Sequence, residues 1–301
     1  MKPLLVVVCG PTASGKTSLA IRIAEKFGAE IISADSRQVY RELPIGSAAP
    51  SKEELANVTH HLVGSISIHE HYNAGLYAAD ARKILDALFE KNPIQVLAGG
   101  TGLYIKALVE GIDALPEVPQ EIRLALSRRL ETEGLEKLQT ELQERDPEYA
   151  KEVDLANKAR VLRALELIET TGAKYSELRK GSKREKPFDV VYLMPAMERE
   201  ELYARINARA IAMLNGGWIE EAEALMEFRN LKALQTLGYP EIFAMLEGKI
   251  SIEECLFQIQ QATRRYAKRQ LTWFRNQTLT IPIPLHLSDK NIGQIIENQS
   301  L

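Results

Sequence analysis

Residues 4–9 read Leu4-Leu5-Val6-Val7-Val8-Cys9, an unbroken apolar run of strand length and the pattern of a strand covered on both faces. Beyond a turn, Leu19, Ile23 and Phe27 recur at helical spacing, so residues 17–27 predict a helix with Gly28 as its cap. Ile31 and Ile32 mark a second strand running out to Asp35. A helix over 77–89 leads to a third strand over 94–98, and the turn Gly99-Gly100-Thr101-Gly102 opens another helix. Strand and helix in alternation imply an α/β fold, a parallel sheet with helices on both faces.

The texture changes at Leu115-Pro116-Glu117-Val118-Pro119, after which the chain is charged and helical to about residue 186. This predicts a helical insert over 114–188 within a core made of 1–113 and 189–301. Strand character returns at 190–193, followed by helices from 199, over 218–228 and over 252–273, and by an extended segment over 280–287.

The 301-residue chain is 45% hydrophobic and 26% charged, an ordinary globular balance. The leading apolar run is too short for a signal or membrane-spanning segment. Two cysteines, Cys9 and Cys255, support neither a disulfide framework nor a cysteine zinc site. A reduced cytoplasmic protein is expected, with no membrane partner and a monomer as the default. The net charge of −3 offers no general attraction to a polyanion. Residues 258–275, however, carry Arg264, Arg265, Lys268, Arg269 and Arg275 without an acid, and 179–186 is also basic, so local patches exist. Arg264, Arg265, Lys268 and Arg269 form two i, i+4 pairs, suited to an RNA backbone, while the interleaved Tyr266 and Trp273 are expected to pack the core. His60-His61, with His69 and His71, lacks a cysteine or carboxylate at ligand spacing, so a turn is expected there rather than a metal site.

Gly10-Pro11-Thr12-Ala13-Ser14-Gly15-Lys16-Thr17 fits the phosphate-binding loop, with the strand before it and the helix after it that the motif requires. Its glycines let backbone N–H groups converge on phosphate oxygens at a helix N-terminus. Lys16 adds a mobile cation, and the Thr17 hydroxyl suits a bound magnesium ion. A nucleotide hydrolase would place an acid at the end of a further strand, but the third strand ends in Gly99, Gly100 and Thr101. Asp35, on the sheet edge where such folds bind ligands, could accept a proton from a nucleophile or merely cap the turn after it. Thr101 could meet a substrate or cap the next helix. Arg205 and Arg209, four apart and off the apolar face of Leu202, Ile206, Ala210 and Met213, could clamp a diphosphate or sit on a solvated face.

Eight blocks in order resemble the tRNA dimethylallyltransferases, also called tRNA isopentenyltransferases. They are the phosphate loop, Ser33-Ala34-Asp35-Ser36-Arg37-Gln38-Val39-Tyr40, His60-His61-Leu62 and Gly99-Gly100-Thr101-Gly102-Leu103-Tyr104. The later four are Asn157 with Arg160-Val161-Leu162-Arg163-Ala164-Leu165-Glu166, Leu202-Tyr203-Ala204-Arg205-Ile206 with Arg209, Leu237-Gly238-Tyr239, and the run from Thr263 to Phe274. The resemblance reaches about Arg275 and departs at Asp154-Leu155-Ala156-Asn157-Lys158-Ala159, which lacks the proline common there.

The resemblance implies transfer of the dimethylallyl group of dimethylallyl diphosphate to N6 of the adenosine 3′ of the anticodon in tRNA, with magnesium as cofactor. It implies that the loop holds the diphosphate rather than a nucleotide, with help from Arg209. It makes Asp35 the general base, with Thr101 beside it in the catalytic site. It assigns tRNA contact to Asp35, Ser36, Arg37, Gln38, Thr101 and Arg123. The same role falls to Ala159, Arg160, Val161, Leu162, Arg163, Gln235, Thr236, Leu237, Gly238, Tyr239 and Pro240. A bacterial-type member is implied, since no C-terminal zinc finger follows. Rival readings are a kinase using Asp35 toward a hydroxyl and a nucleotide-gated RNA-binding module.

Overall fold

The computed structural model describes residues 2–113, 115–179 and 186–299. In chain order come β1 (Leu4–Cys9), α1 (Lys16–Phe27), β2 (Ile31–Ser33), α2 (Lys52–Asn57), β3 (His60–His61), α3 (Ala74–Phe89), β4 (Ile94–Gly99) and α4 (Gly102–Val109). Then come α5 (Gln120–Glu133), α6 (Leu135–Arg145), α7 (Pro147–Glu152), α8 (Lys158–Thr171) and α9 (Tyr175–Leu178). The chain continues through β5 (Asp189–Ala196), α10 (Arg199–Met213), α11 (Ile219–Ala224), α12 (Tyr239–Leu246), α13 (Ile252–Gln277), β6 (Thr280–Pro284) and α14 (Asp289–Glu297). By contact it divides into Met1–Glu110 with Glu185–Leu301, and Gly111–Arg184.

The larger unit is built on one six-stranded sheet, in the order β3-β2-β4-β1-β5-β6, with every pairing parallel. The apolar run that opens the chain is its central strand, and its alternation explains the layers. Leu4, Val6 and Val8 join a core with α1 and α14, whereas Leu5, Val7 and Cys9 join one with α3, α4 and Phe274 of α13. All six β1 side chains are at most 3% exposed. Burying a large aliphatic side chain stabilises by roughly 1.5–3 kcal/mol, so this strand anchors both layers. A third core gathers Val39 and Leu43 with the end of α10, α11, α12 and the start of α13.

Several elements depart from expectation. The helix predicted over 218–228 is broken into a π-turn over Leu214–Trp218, α11, and a 3-10 turn over Met226–Phe228. Gly217, at φ 102°, lies outside helical space and interrupts the pattern. His60-His61 forms the edge strand β3 rather than a turn, and His61 Nε2 meets Glu30 Oε2 at 2.6 Å. The extended segment after 280 ends at Pro284, where Leu287 N–H turns back on the Pro284 carbonyl. Beyond it α14, unforeseen in the sequence, docks on α1, where Arg22 donates to Asp289 and to the Leu285 and Leu287 carbonyls.

The smaller unit is helical. Leu126, Leu138, Leu142, Val161, Leu165 and Ile168 form its core. Asp146, fully buried, accepts from Tyr149 N–H, Ser176 N–H and the Ser176 hydroxyl, which ties α9 to the start of α7. Residues 180–185, most of the basic run 179–186, and residue 114 at the expected insert boundary lie outside the described residues.

Candidate active site

β1 delivers the chain into the phosphate loop, and α1 begins at Lys16. Gly15 has φ 86°, a left-handed conformation that favours glycine, and a Cβ there would press on a Leu285 methyl at 3.1 Å. Lys16 Nζ donates to the Pro11 carbonyl at 2.6 Å. Burial pushes the Lys16 ammonium down to about 8, with Arg209 adding to the shift and Asp35 opposing it. Arg209 donates to the Thr12 hydroxyl, and burial lowers its pKa although Asp35 opposes this. Ser14 Oγ, buried in the loop, has no partner among the described residues.

Around this loop lies a cavity of about 310 Å³, lined further by Ser33, Asp35, Gln38, Arg205, Arg209 and Gln270. A second cavity, of about 480 Å³, is lined by Arg37, Gln235, Thr236, Leu237, Pro240 and Arg269 among others. Thr12, Asp35, Ser47, Ala48, Arg209 and Tyr266 line both. Asp35 therefore stands at a junction between a phosphate chamber and a second chamber.

Asp35 caps the turn that follows it. Its Oδ1 accepts from Arg37 N–H at 2.9 Å and Gln38 N–H at 3.4 Å. Among the described residues no donor reaches Oδ2, which leaves that oxygen for a ligand. The Thr101 hydroxyl does not cap α4; it accepts from Ser36 N–H at 3.0 Å and lies 3.3 Å from the Ser36 hydroxyl. Thr101 thus pins the Asp35 turn to the β4 exit.

The two α10 arginines part company. Arg209 lines both chambers, whereas Arg205 pairs with Glu201 at 2.9 Å on the exposed side while lining the phosphate chamber. Gln38 lines the phosphate chamber, accepting from Ser33 Oγ at 3.0 Å and donating to the Ala48 carbonyl at 3.0 Å. Gly238 and Tyr239 stand behind the second chamber's wall: Tyr239 is fully buried and donates to Glu221 Oε1 at 2.6 Å. In the helical unit Arg160 and Ala159 are exposed, Arg123 is half-buried, and Arg163 pairs with Glu166 at 3.4 Å. Val161 is fully buried there and Leu162 packs against the same core, so their side chains support the helix that presents Arg160.

Tyr266 does not pack the core as expected. It lines both chambers with the Arg269 guanidinium 5.7 Å from its ring centre, and burial together with the Asp35 charge pushes its hydroxyl up to about 12. Trp273 does pack against a core cluster, close over Gly102. Arg264 is engaged by Asn207 Oδ1 at 2.6 Å, which leaves Arg265, Lys268, Arg269 and Arg275 as the exposed cations of that stretch. Sequence reasoning missed Gln270 and Glu221. Glu221 accepts from Ile45 N–H and Gly46 N–H, both at 2.8 Å, and from the Tyr239 hydroxyl, fixing the second chamber's wall. Thr263, Tyr266 and Gln270 fall at i, i+3 and i+7, a polar stripe on α13 that could have signalled a ligand-facing side.

A parallel sheet carrying a phosphate loop, with a carboxylate at the junction of two chambers, defines a P-loop enzyme suited to act on a phosphate ester beside a proton acceptor. Comparison with known proteins makes the assignment specific. A family model for IPP transferase matches residues 38–277. A tRNA dimethylallyltransferase of Cytophaga hutchinsonii is 48% identical over 270 residues, covering 90% of this chain and 89% of that one. One from Christiangramia forsetii is 44% identical over 299 residues, 99% of each chain, and so spans the phosphate loop as well. The solved tRNA Δ2-isopentenylpyrophosphate transferase of Staphylococcus epidermidis superposes with a TM-score of 0.70 at 35% identity, covering 99% of this chain and 98% of that one. The chain belongs to the IPP transferase family, that of the tRNA dimethylallyltransferases.

Proposed function

We infer that the protein transfers the dimethylallyl group of dimethylallyl diphosphate to N6 of the adenosine 3′ of the anticodon in tRNA, releasing diphosphate. The observation that carries this reading is the placement of Asp35 where the phosphate chamber meets a second, larger chamber. The diphosphate lies in the loop, held by backbone N–H groups, Lys16 and Arg209. The adenine, extruded from the loop of the tRNA, enters from the second chamber past Arg37 and residues 235–237. The N6 lone pair attacks the allylic C1, the C1–O bond breaks, and its electrons pass to the bridging oxygen of the diphosphate. The proton leaves N6 for Asp35 Oδ2 as the new bond forms. Lys16 and Arg209 stabilise charge where it grows on the leaving group.

The donor set fits magnesium: the Thr17 hydroxyl lines the phosphate chamber as a hard oxygen ligand, and Cys9 is buried in the sheet. Magnesium held by the Thr17 hydroxyl would help neutralise the charge that grows on the leaving group. Exposed Arg265, Lys268 and Arg269, and in the helical unit Arg123, Arg160 and Arg163, are the cations offered to the RNA backbone. Among the described residues no helix is long and apolar enough to cross a membrane. A tRNA substrate supports a cytoplasmic location.

The test incubates the protein with magnesium, dimethylallyl diphosphate and unmodified tRNA, then weighs the nucleosides. A dimethylallyl adduct on the adenosine 3′ of the anticodon is expected. No adduct, with phosphate transferred from ATP to a small hydroxyl compound instead, would overturn the reading in favour of a kinase.

A further inference from the structure

Gln270 is one of the few buried polar side chains, 5% exposed, and it lies on α13 far along the chain from both loops it touches. Its Oε1 accepts from Thr12 N–H at 2.9 Å, and its Nε2 donates to the Gly100 carbonyl at 2.9 Å. One amide thus joins the phosphate loop to the exit of β4, with its donor and its acceptor each assigned. Gly100 is required by this contact, because a Cβ there would collide with the Gln270 amide nitrogen. From Gly100 the linkage continues without a gap. Thr101 N–H donates to the Ala34 carbonyl at 3.1 Å, and the Thr101 hydroxyl accepts from Ser36 N–H, beside Asp35.

We propose that Gln270 is a positioning residue that sets the distance between the diphosphate cradle and the Asp35 carboxylate. The proposal rests on the prenyl-transfer reading above, since only a reaction joining those two sites is sensitive to their spacing. The cradle keeps Lys16, Arg209 and its remaining backbone donors without Gln270, so diphosphate still binds. The attacking nitrogen, its proton acceptor and the leaving oxygen lose their shared frame. A misplacement of about 1 Å in such a frame costs on the order of 100-fold in rate. Gln270 therefore acts on turnover rather than on affinity.

Two variants test this in the full-length enzyme with tRNA and dimethylallyl diphosphate. Gln270→Met fills the space without either hydrogen bond. Its kcat is expected to fall on the order of 100-fold, with inorganic diphosphate affinity within about threefold of wild type and a retained melting transition. Gln270→Glu keeps an acceptor for Thr12 N–H but can donate to the Gly100 carbonyl only when protonated, a form that burial favours. Its rate relative to wild type should climb as pH falls. The other titratable groups of that chamber, among them Lys16, Asp35, Glu54, His60 and Arg209, are common to both proteins and cancel in the ratio. A Gln270→Met enzyme within threefold of wild-type kcat overturns the proposal. So does a flat Gln270→Glu ratio, or a loss of turnover matched by an equal loss of diphosphate affinity. If the wild type forms no adduct at all, the prenyl-transfer reading fails and this inference with it; an active wild type with an unaffected variant sinks the inference alone.

Discussion

The two chambers that meet at Asp35 are built by different means. The phosphate chamber rests on the central strand of the sheet, and its groups are already engaged with protein: Lys16 with Pro11, Arg209 with Thr12, Thr12 N–H with Gln270. The second chamber is walled by loops together with faces of α10 and α13, and is fixed at one half-buried point where Glu221 gathers three donors. A small, constant anion can be met by a rigid cradle whose donors are aimed in advance. A base arriving on a large RNA needs room, which a chamber of about 480 Å³ between loops and two helix faces supplies. Chemistry should therefore concentrate at the junction, anion affinity on one side and acceptor affinity on the other.

Replacement of Asp35 by alanine attacks the junction itself. A well-placed base is worth on the order of 100- to 10,000-fold. Turnover should drop by at least the lower figure while both substrates bind, as single-turnover kinetics would read; near-normal turnover would remove Asp35 from the base role.

Arg209→Ala strikes the phosphate side. Loss of charge-assisted hydrogen bonds worth about 1.5–3 kcal/mol should weaken diphosphate binding roughly 10- to 100-fold by calorimetry. Tethering of tRNA alone should change little. Equal losses for both substrates would mean that the two chambers do not divide the work.

The Lys16 ammonium, held near 8 in the free site, gives the phosphate side a pH signature. Below pH 8 the cation is present; above it the free site loses its proton, and binding an anion must take one up. Diphosphate affinity should be flat below pH 8 and fall about tenfold per unit above it, with proton uptake on binding. Lys16→Arg, charged throughout, should flatten the slope. A wild-type profile level to pH 10 would show that the lysine is not desolvated.

The smallest effect is expected on the second side. Glu221→Ala strands the Ile45 and Gly46 amides and the Tyr239 hydroxyl, costing about 2 kcal/mol of stability by denaturant titration. It should raise the KM for tRNA several-fold while leaving diphosphate affinity intact. A variant with unchanged KM for tRNA would free Glu221 from any part in shaping that wall.

The phosphate side was the more legible in sequence, for a physical reason. Residues 10–17 are contiguous, and their spacing is dictated by one ligand, so the motif can be read without the fold. The β1, β2 and β4 runs were equally plain because burial on both faces leaves no polar interruption. Gln270 was invisible because it meets Thr12 and Gly100 from 258 and 170 residues away. Glu221 reads as one acid among several on a surface helix until Tyr239 and the loop at 45–46 arrive from elsewhere. Tyr266 was assigned to the core by its aromatic character, yet burial beside Asp35 and Arg269 makes it a chamber wall. The break after α10 was signalled by Gly216-Gly217, but the helical periodicity of the flanking residues masked it.

The strand order has a consequence for synthesis. The centre of the sheet, β1, leaves the ribosome before both its neighbours, since β4 and β5 begin only at Ile94 and Asp189. At about 5–20 residues per second, one flank of this apolar strand stays uncovered for roughly 10–40 s. Helices α5–α9, which need only one another to form their core, can condense in that interval. The β5 flank of the sheet therefore closes late, and Leu4–Cys9 is a segment left half-covered while the helical unit condenses.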